Sequence, residues 1–138
     1  MINRINKLRP ALYRSVIDAL YVHSNSEDTM RYFSNYHAPN TMLLIGRNRC
    51  FLITDAVHKE EAEQAAPDFE VYVADENRSP IEIIIEEALP SQSIKRLGYE
   101  PEFTPEAFVA DAKAALRPHG IGLVNCASTV ERLKKTVE

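Results

Sequence analysis

Apolar residues form two kinds of pattern along the chain. Short unbroken or alternating runs have the length and composition of strands: Ala19-Leu20-Tyr21-Val22, Met42-Leu43-Leu44-Ile45, Cys50-Phe51-Leu52-Ile53, Phe69-Glu70-Val71-Tyr72-Val73, Ile94-Lys95-Arg96-Leu97-Gly98-Tyr99 and Ile121-Gly122-Leu123-Val124. Elsewhere the apolar positions recur at three- and four-residue spacing. Ser79-Pro80-Ile81-Glu82 spells a helix start, with Ser79 as N-cap, Pro80 at the first helical position and Glu82 closing a capping box. Ile81, Ile84, Ile85, Ala88 and Leu89 make one stripe behind it, and Pro90 ends it. Thr104-Pro105-Glu106 opens a helix in the same way, with Phe103 and Phe108 spaced as a hydrophobic staple. Phe108, Val109, Ala112 and Leu116 are its buried face, and Pro118 with Gly120 its stop. Ser24-x-x-Glu27 marks a third start, leading into Met30, Tyr32 and Phe33. A fourth helix runs from about Val57 through Ala66, with Glu60, Glu61 and Glu63 near its positive end and Pro67 as its stop. Ile5, Leu8 and Leu12 space an opening helix that Pro10 must either kink or begin.

Strands that alternate with helices call for parallel crossovers, while Gly46-Arg47-Asn48 reads as a hairpin turn, because Gly and Asn tolerate positive φ. The expectation is an α/β fold, a three-layer domain with a mixed sheet of about six strands flanked by helices. The length of 138 residues suits a single domain spanning 1–138. Composition refines this only by exclusion. Hydrophobic residues at 45% and charged residues at 26% argue against disorder. No apolar run approaches the roughly 20 residues of a membrane span, and the polar start Met1-Ile2-Asn3-Arg4 is no secretory signal. A net charge of −4 without a basic block disfavours a nucleic-acid partner. A cytosolic protein with two reduced, buried thiols, Cys50 and Cys126, is the expectation.

Catalytic signatures are missing from the sequence: it has no G-x-G-x-x-G, P-loop, G-x-S-x-G or H-E-x-x-H, and only 4 glycines. Asp55-x-x-His58 has the spacing of two metal ligands, but an Asp between strand and helix is the ordinary position of a cap. Glu60, Glu61, Glu63, Glu86 and Glu87 fall on polar helix faces, and Arg132-x-Lys134-Lys135 lacks interleaved aromatics. In Tyr32-Phe33-x-x-Tyr36-His37 the first two residues belong to the core. Tyr36 and His37, beside Ala38-Pro39-Asn40, lie beyond the helix in a loop able to approach a ligand or partner.

Several segments, in order, resemble the N-terminal domain of the creatinase/prolidase family, which includes Xaa-Pro dipeptidases, aminopeptidases P and creatine amidinohydrolases. Met30-Arg31-Tyr32-Phe33-Ser34-Asn35-Tyr36 is similar to the family's R-Y-[LFY]-[ST]-G-[FWY], and Phe51-Leu52-Ile53-Thr54-Asp55 to its apolar run ending in T-D. Ile94-Lys95-Arg96-Leu97-Gly98-Tyr99-Glu100 resembles I-x-R-[LI]-G-[FY]-[ED], and Val130-Glu131-Arg132-Leu133-Lys134-Lys135 resembles the stretch leading into a catalytic domain. The likeness spans about residues 4 to 136. Asn35 replaces the family glycine, and Ala56-Val57-His58 stands where members often continue the T-D as x-R-Y, so no role of that Arg and Tyr carries over.

The resemblance implies a non-catalytic N-terminal domain. The chemistry would sit in a C-terminal pita-bread domain absent from this chain, where Asp, Asp, His, Glu and Glu hold two divalent metal ions (Mn, Co or Zn). It implies as partners that catalytic domain, a second subunit in a homodimer, and a peptide substrate with proline at its second position. Tyr36, as an apolar wall, and His37, as a hydrogen-bonding group, are the residues expected near the substrate or dimer contact; no residue of this chain is assigned to catalysis or to a metal. A creatinase-like amidohydrolase and a non-catalytic protein-binding relative of the histone-chaperone type remain the alternatives. The pattern Val130, Leu133, Val137 reaches Glu138 with no Gly or Pro stop, so the expectation is a fragment with a native start and an artificial end.

Overall fold

The computed structural model describes residues 2–91 and 93–135. The six apolar runs become β1 (Ala19–His23), β2 (Met42–Ile45), β3 (Cys50–Thr54), β4 (Glu70–Val73), β5 (Arg96–Tyr99) and β6 (Gly122–Asn125), in sheet order β4-β3-β2-β1-β5-β6. Strands β1, β2 and β3 form an antiparallel meander. The parallel joins are β3 with β4, β1 with β5 and β5 with β6, each reached through helical crossovers. The mixed α/β sheet expected from the sequence is the one formed.

Because side chains alternate across a strand, the sheet sorts its residues into two cores. Leu20 and Val22 of β1, with Leu43, Ile45 and Leu52, face one layer of helices. That layer is α1 (Ile2–Arg14), α2 (Glu27–Ser34), α3 (Lys59–Ala65) and α6 (Ala127–Lys135), which contribute Ile5, Leu8, Met30, Phe33, Ala62 and Val130. Ala19 and Tyr21, with Leu44, Phe51 and Ile53, face the opposite layer, where α4 (Pro80–Ile83) and α5 (Glu106–Leu116) supply Ile83, Ala112 and Leu116. Burial on both faces is why β1 to β3 read as nearly continuous apolar runs. Cys50 and Cys126 are both buried and unpaired, and burial together with the neighbouring Glu100 pushes the Cys126 thiol up to about 12.

Several helix boundaries differ from the sequence expectation, each for a local reason. Ser79 makes the full capping box with Glu82, but the helix it opens passes into a π turn at Ile84–Ala88 and a 3-10 turn at Leu89–Ser91 that includes Pro90. The guanidinium of Arg78 pairs with both Glu86 (2.7 Å) and Glu87 (2.6 Å) of the π turn. Thr104 does not cap α5. Its hydroxyl donates instead to the Glu100 carbonyl, and Pro105 is the cap. Phe108 stacks on Tyr21 at 4.8 Å between ring centres, while Phe103 remains partly exposed. The cap of α2 is Ser26 rather than Ser24, and α3 begins only at Lys59. The β2–β3 hairpin closes with Gly46 N–H to the Arg49 carbonyl. Positive φ angles among the described residues fall elsewhere, at Val16, Asn35, Asn40 and Gly120. Val137 lies outside the described residues.

Helix α1 continues through Pro10 without a break, and its end carries a backbone cost. Ile17 N–H bonds the Leu12 carbonyl and Val16 N–H the Tyr13 carbonyl, which together make a Schellman turn with Val16 at the left-handed position, φ 58°. Glycine usually occupies that position; a β-branched residue there costs roughly 1–2 kcal/mol. Val16 is 67% exposed, so its side chain contributes little packing. Val16→Gly is expected to raise stability by about 1 kcal/mol, the relief of strain exceeding glycine's entropy cost, and an unchanged or lower urea midpoint would contradict this.

Candidate functional site

Parallel strands place their carboxyl ends along one edge of the sheet, where α/β domains keep their ligand crevices. Here β1, β3 and β4 end at His23, Thr54 and Val73, and an open cleft of about 810 Å³ runs along that edge. His23, Ser24 and Asn25 line one side, His37, Asn40 and Asp55 another, with Asp75 and Pro105 at the far rim. The cleft is floored in part by Met42 and Thr54.

The loop from α2 to β2 is held in place by its own polar groups. Asn35 takes the left-handed turn (φ 62°) that ends α2, the role the family motif assigns to glycine. Ser34 Oγ bonds the Met30 carbonyl at 2.7 Å and accepts Tyr36 N–H at 3.2 Å. The Tyr36 ring is buried in the core, and its hydroxyl donates to Glu61 Oε1 at 2.6 Å. Burial, then Glu61 and Asp55, push that phenol well above its ordinary range, so it remains a donor. The Thr41 hydroxyl donates to the Pro39 carbonyl at 3.0 Å, so in its 2.9 Å contact with Thr54 the Thr54 hydroxyl is the donor. His37 Nε2 lies 2.8 Å from the Ser24 carbonyl.

Asp55 turns back on its own segment: Oδ1 accepts His58 N–H at 3.0 Å and pairs with His58 Nδ1 at 2.7 Å, while Oδ2 meets Asn40 Nδ2 at 3.4 Å. Burial opposes its charge, but the His58 ring and N–H with Asn40 outweigh this and hold the carboxyl below the usual range. It caps the turn before α3 rather than the helix itself, whose cap is His58. Among the described residues no group of three or more His, Cys, Asp or Glu is placed to hold a metal ion.

Of the two site residues expected from sequence, His37 lines the cleft and Tyr36 lies behind it, in the core. The sequence reading missed His23. Its signal was its place at the end of the run Ala19-Leu20-Tyr21-Val22-His23, the carboxyl end of a strand. Its Nδ1 accepts Asn25 N–H at 3.0 Å, and burial lowers its pKa, so the ring is neutral near pH 7.

These features define a class: an α/β domain built on a mixed six-stranded sheet, with a polar cleft at the strand carboxyl ends. The chain belongs to the creatinase/prolidase N-terminal domain family, whose sequence pattern matches residues 4–135. Solved structures share the fold. Aminopeptidase P (Xaa-Pro aminopeptidase) from Streptococcus thermophilus superposes with a TM-score of 0.82 at 20% identity, covering 97% of this chain and 98% of that one. The N-terminal domain of the cytoplasmic peptidase PepQ from Mycobacterium tuberculosis gives 0.79 at 25% identity, covering 95% and 98%. The Xaa-Pro dipeptidase from Bacillus anthracis gives 0.80 at 23% identity, covering 96% of this chain but 35% of that one. The chain thus corresponds to about a third of the length of that relative. No curated protein sequence matches it. Among the described residues no helix is long and apolar enough to cross a membrane.

Proposed function

We propose that this chain is the non-catalytic N-terminal domain of a cytoplasmic, metal-dependent Xaa-Pro peptidase. In this reading it contributes to a homodimer and walls the entrance to an active site formed by a C-terminal domain. The observation that carries the proposal is the family match over residues 4–135. The length of the Bacillus anthracis dipeptidase, of which the chain covers 35%, supports a larger parent. Two divalent ions in the C-terminal domain would supply a bridged, activated water. The residues of this chain bind and orient: Tyr36, its hydroxyl held by Glu61, backs the cleft wall, and His37 offers a hydrogen bond to substrate.

The test is hydrolysis of an Xaa-Pro dipeptide by the full-length protein with Mn²⁺. Absence of cleavage, or cleavage of creatine instead, would overturn the assignment. In the same assay His37→Ala is expected to lower kcat/KM about fivefold, the worth of one hydrogen bond, with the domain still folded. Unchanged kinetics would remove His37 from the substrate-facing wall.

A further inference from the structure

We propose that the turn ending α1, with Tyr13 and Val16 at its crest, is a docking surface for an acidic protein segment that carries apolar side chains. The turn lies at the end of the strands opposite the cleft, where β1 and β5 begin, so a partner there leaves the cleft open. Tyr13 (74% exposed) and Val16 (67%) are two of the most exposed large apolar side chains among the described residues. One hydrogen bond, Val16 N–H to the Tyr13 carbonyl at 3.0 Å, holds them in the same turn. Val16 also has a left-handed φ of 58°, which a β-branched residue adopts only under strain. Within the domain that valine is strained and covers little; a surface laid over it would bury what the turn leaves exposed. Beside Tyr13 a hollow of about 420 Å³ opens between α1 and the β2–β3 hairpin, with Pro10, Leu12 and Ile17 among its lining residues.

The rim of the turn selects the charge of the partner. No Asp or Glu occurs in residues 1–17, and Arg14 stands between the two apolar residues. Arg96 Nε donates to the Val16 carbonyl at 2.8 Å. Asp18 follows the turn and is already engaged: Oδ1 pairs with Arg47 at 2.6 Å, and Oδ2 accepts the Lys95 and Arg96 N–H groups at 2.8 and 2.9 Å. Among the described residues the exposed side chains of Arg14, Lys95 and Arg96 have no carboxylate partner. A chain of net charge −4 thus concentrates positive charge around its apolar turn. A second copy joined about a two-fold axis would set these cations against themselves, which disfavours self-pairing. Carboxylates on either side of an apolar pair match the surface twice over: the charges steer the approach, and the apolar side chains cover Tyr13 and Val16. Docking here is independent of what the cleft binds.

The experiment is an amide NMR titration of this chain with two capped octapeptides. One has three glutamates on either side of a Leu-Phe pair; in the other Gly-Gly replaces that pair at the same charge. The Leu-Phe peptide is expected to shift the amides of Tyr13, Val16, Asp18 and Arg96, and to bind about tenfold more tightly than the Gly-Gly peptide, the effect of covering one valine-sized side chain. Both peptides should weaken as salt rises, because the cations are exposed. Tyr13→Ser and Val16→Gly should each cut the Leu-Phe advantage about threefold and leave Gly-Gly binding unchanged. Lys95→Gln should instead weaken both peptides alike, by about threefold. Equal binding of the two peptides by the unsubstituted chain, no binding of either, or shifts confined to other residues overturns the proposal even if no variant folds. Tighter binding of a single-stranded oligonucleotide or of phosphatidylserine vesicles would make the turn a nucleic-acid or membrane contact and overturn it too. So would a dimer that Val16→Gly dissociates, which would make the turn a contact between copies.

Discussion

Thr29→Val is expected to destabilise the domain by about 2–3 kcal/mol, although it changes neither the shape nor the volume of the side chain appreciably. Thr29 is fully buried, and its hydroxyl donates to Glu100 Oε2 at 2.9 Å while accepting from Lys134 Nζ at 3.1 Å. Glu100 is 5% exposed, and its other oxygen, Oε1, has no hydrogen-bond partner among the described residues. One hydroxyl therefore carries the hydrogen bonding of a buried carboxyl at the end of β5, and ties it to α2 and α6. Valine would strip that bond and leave the carboxyl unsatisfied at a cost of about 1–3 kcal/mol, whereas the half-buried Lys134 can turn toward water. The upper half of that range applies because the second oxygen has no bond to fall back on. Removing both polar partners with Thr29→Val/Glu100→Met should recover most of the loss, since an apolar pair of similar volume leaves nothing stranded. Urea denaturation decides it: the midpoint should fall for the single variant at constant slope and return for the double. A single variant within about 0.5 kcal/mol of the parent, or a double variant worse than the single, would show that the node carries little.

The same node shows where sequence reasoning stops. Thr29, Glu100 and Lys134 lie 71 and 105 residues apart in their bonded pairs, and no local pattern announces that they meet. What was legible was local or periodic. The strands could be read because both faces of β1 to β3 are buried, and the Ser79 capping box because all its partners lie within four residues. Errors arose where the local signal was ambiguous. Ser24 and Ser26 both have cap chemistry, two residues apart, and it is Ser26 that stands at the cap position. Val16 holds a left-handed turn that sequence would give to Gly or Asn, so nothing marked the end of α1. At the site, His37 was legible as a loop residue after an aromatic helix. Its pairing with the His23 turn was not, because the two segments are brought together only by the sheet.

Gly98→Val is expected to cost about 3 kcal/mol, at the upper end for overpacking a close-packed core. Gly98 lies in β5 between Leu20 of β1 and Val124 of β6, so its backbone cannot retreat without disturbing both ladders. A Cβ there would stand 2.8 Å from Cys126 Sγ, 3.2 Å from Cys126 Cβ and 3.1 Å from Ile17 Cγ2. The first is well inside van der Waals contact, and the cysteine is pinned by its own N–H to the Tyr99 carbonyl at 3.0 Å. Glycine in the family-like segment Ile94-Lys95-Arg96-Leu97-Gly98-Tyr99-Glu100 thus has a steric reason: it lets the chain entering α6 lie against β5, with no demand on φ. The smaller change Gly98→Ala separates that cause from strand propensity. Alone it should cost about 1–2 kcal/mol, the clash being partly offset by the entropy that glycine loses on folding. Combined with Cys126→Ala, which removes Sγ, it should add little to the cost of Cys126→Ala alone, a favourable coupling of about 1 kcal/mol in a double-mutant cycle. Strict additivity in that cycle would mean that Cys126 is not what the glycine makes room for, and Ile17, the other close neighbour, would then be the residue to truncate.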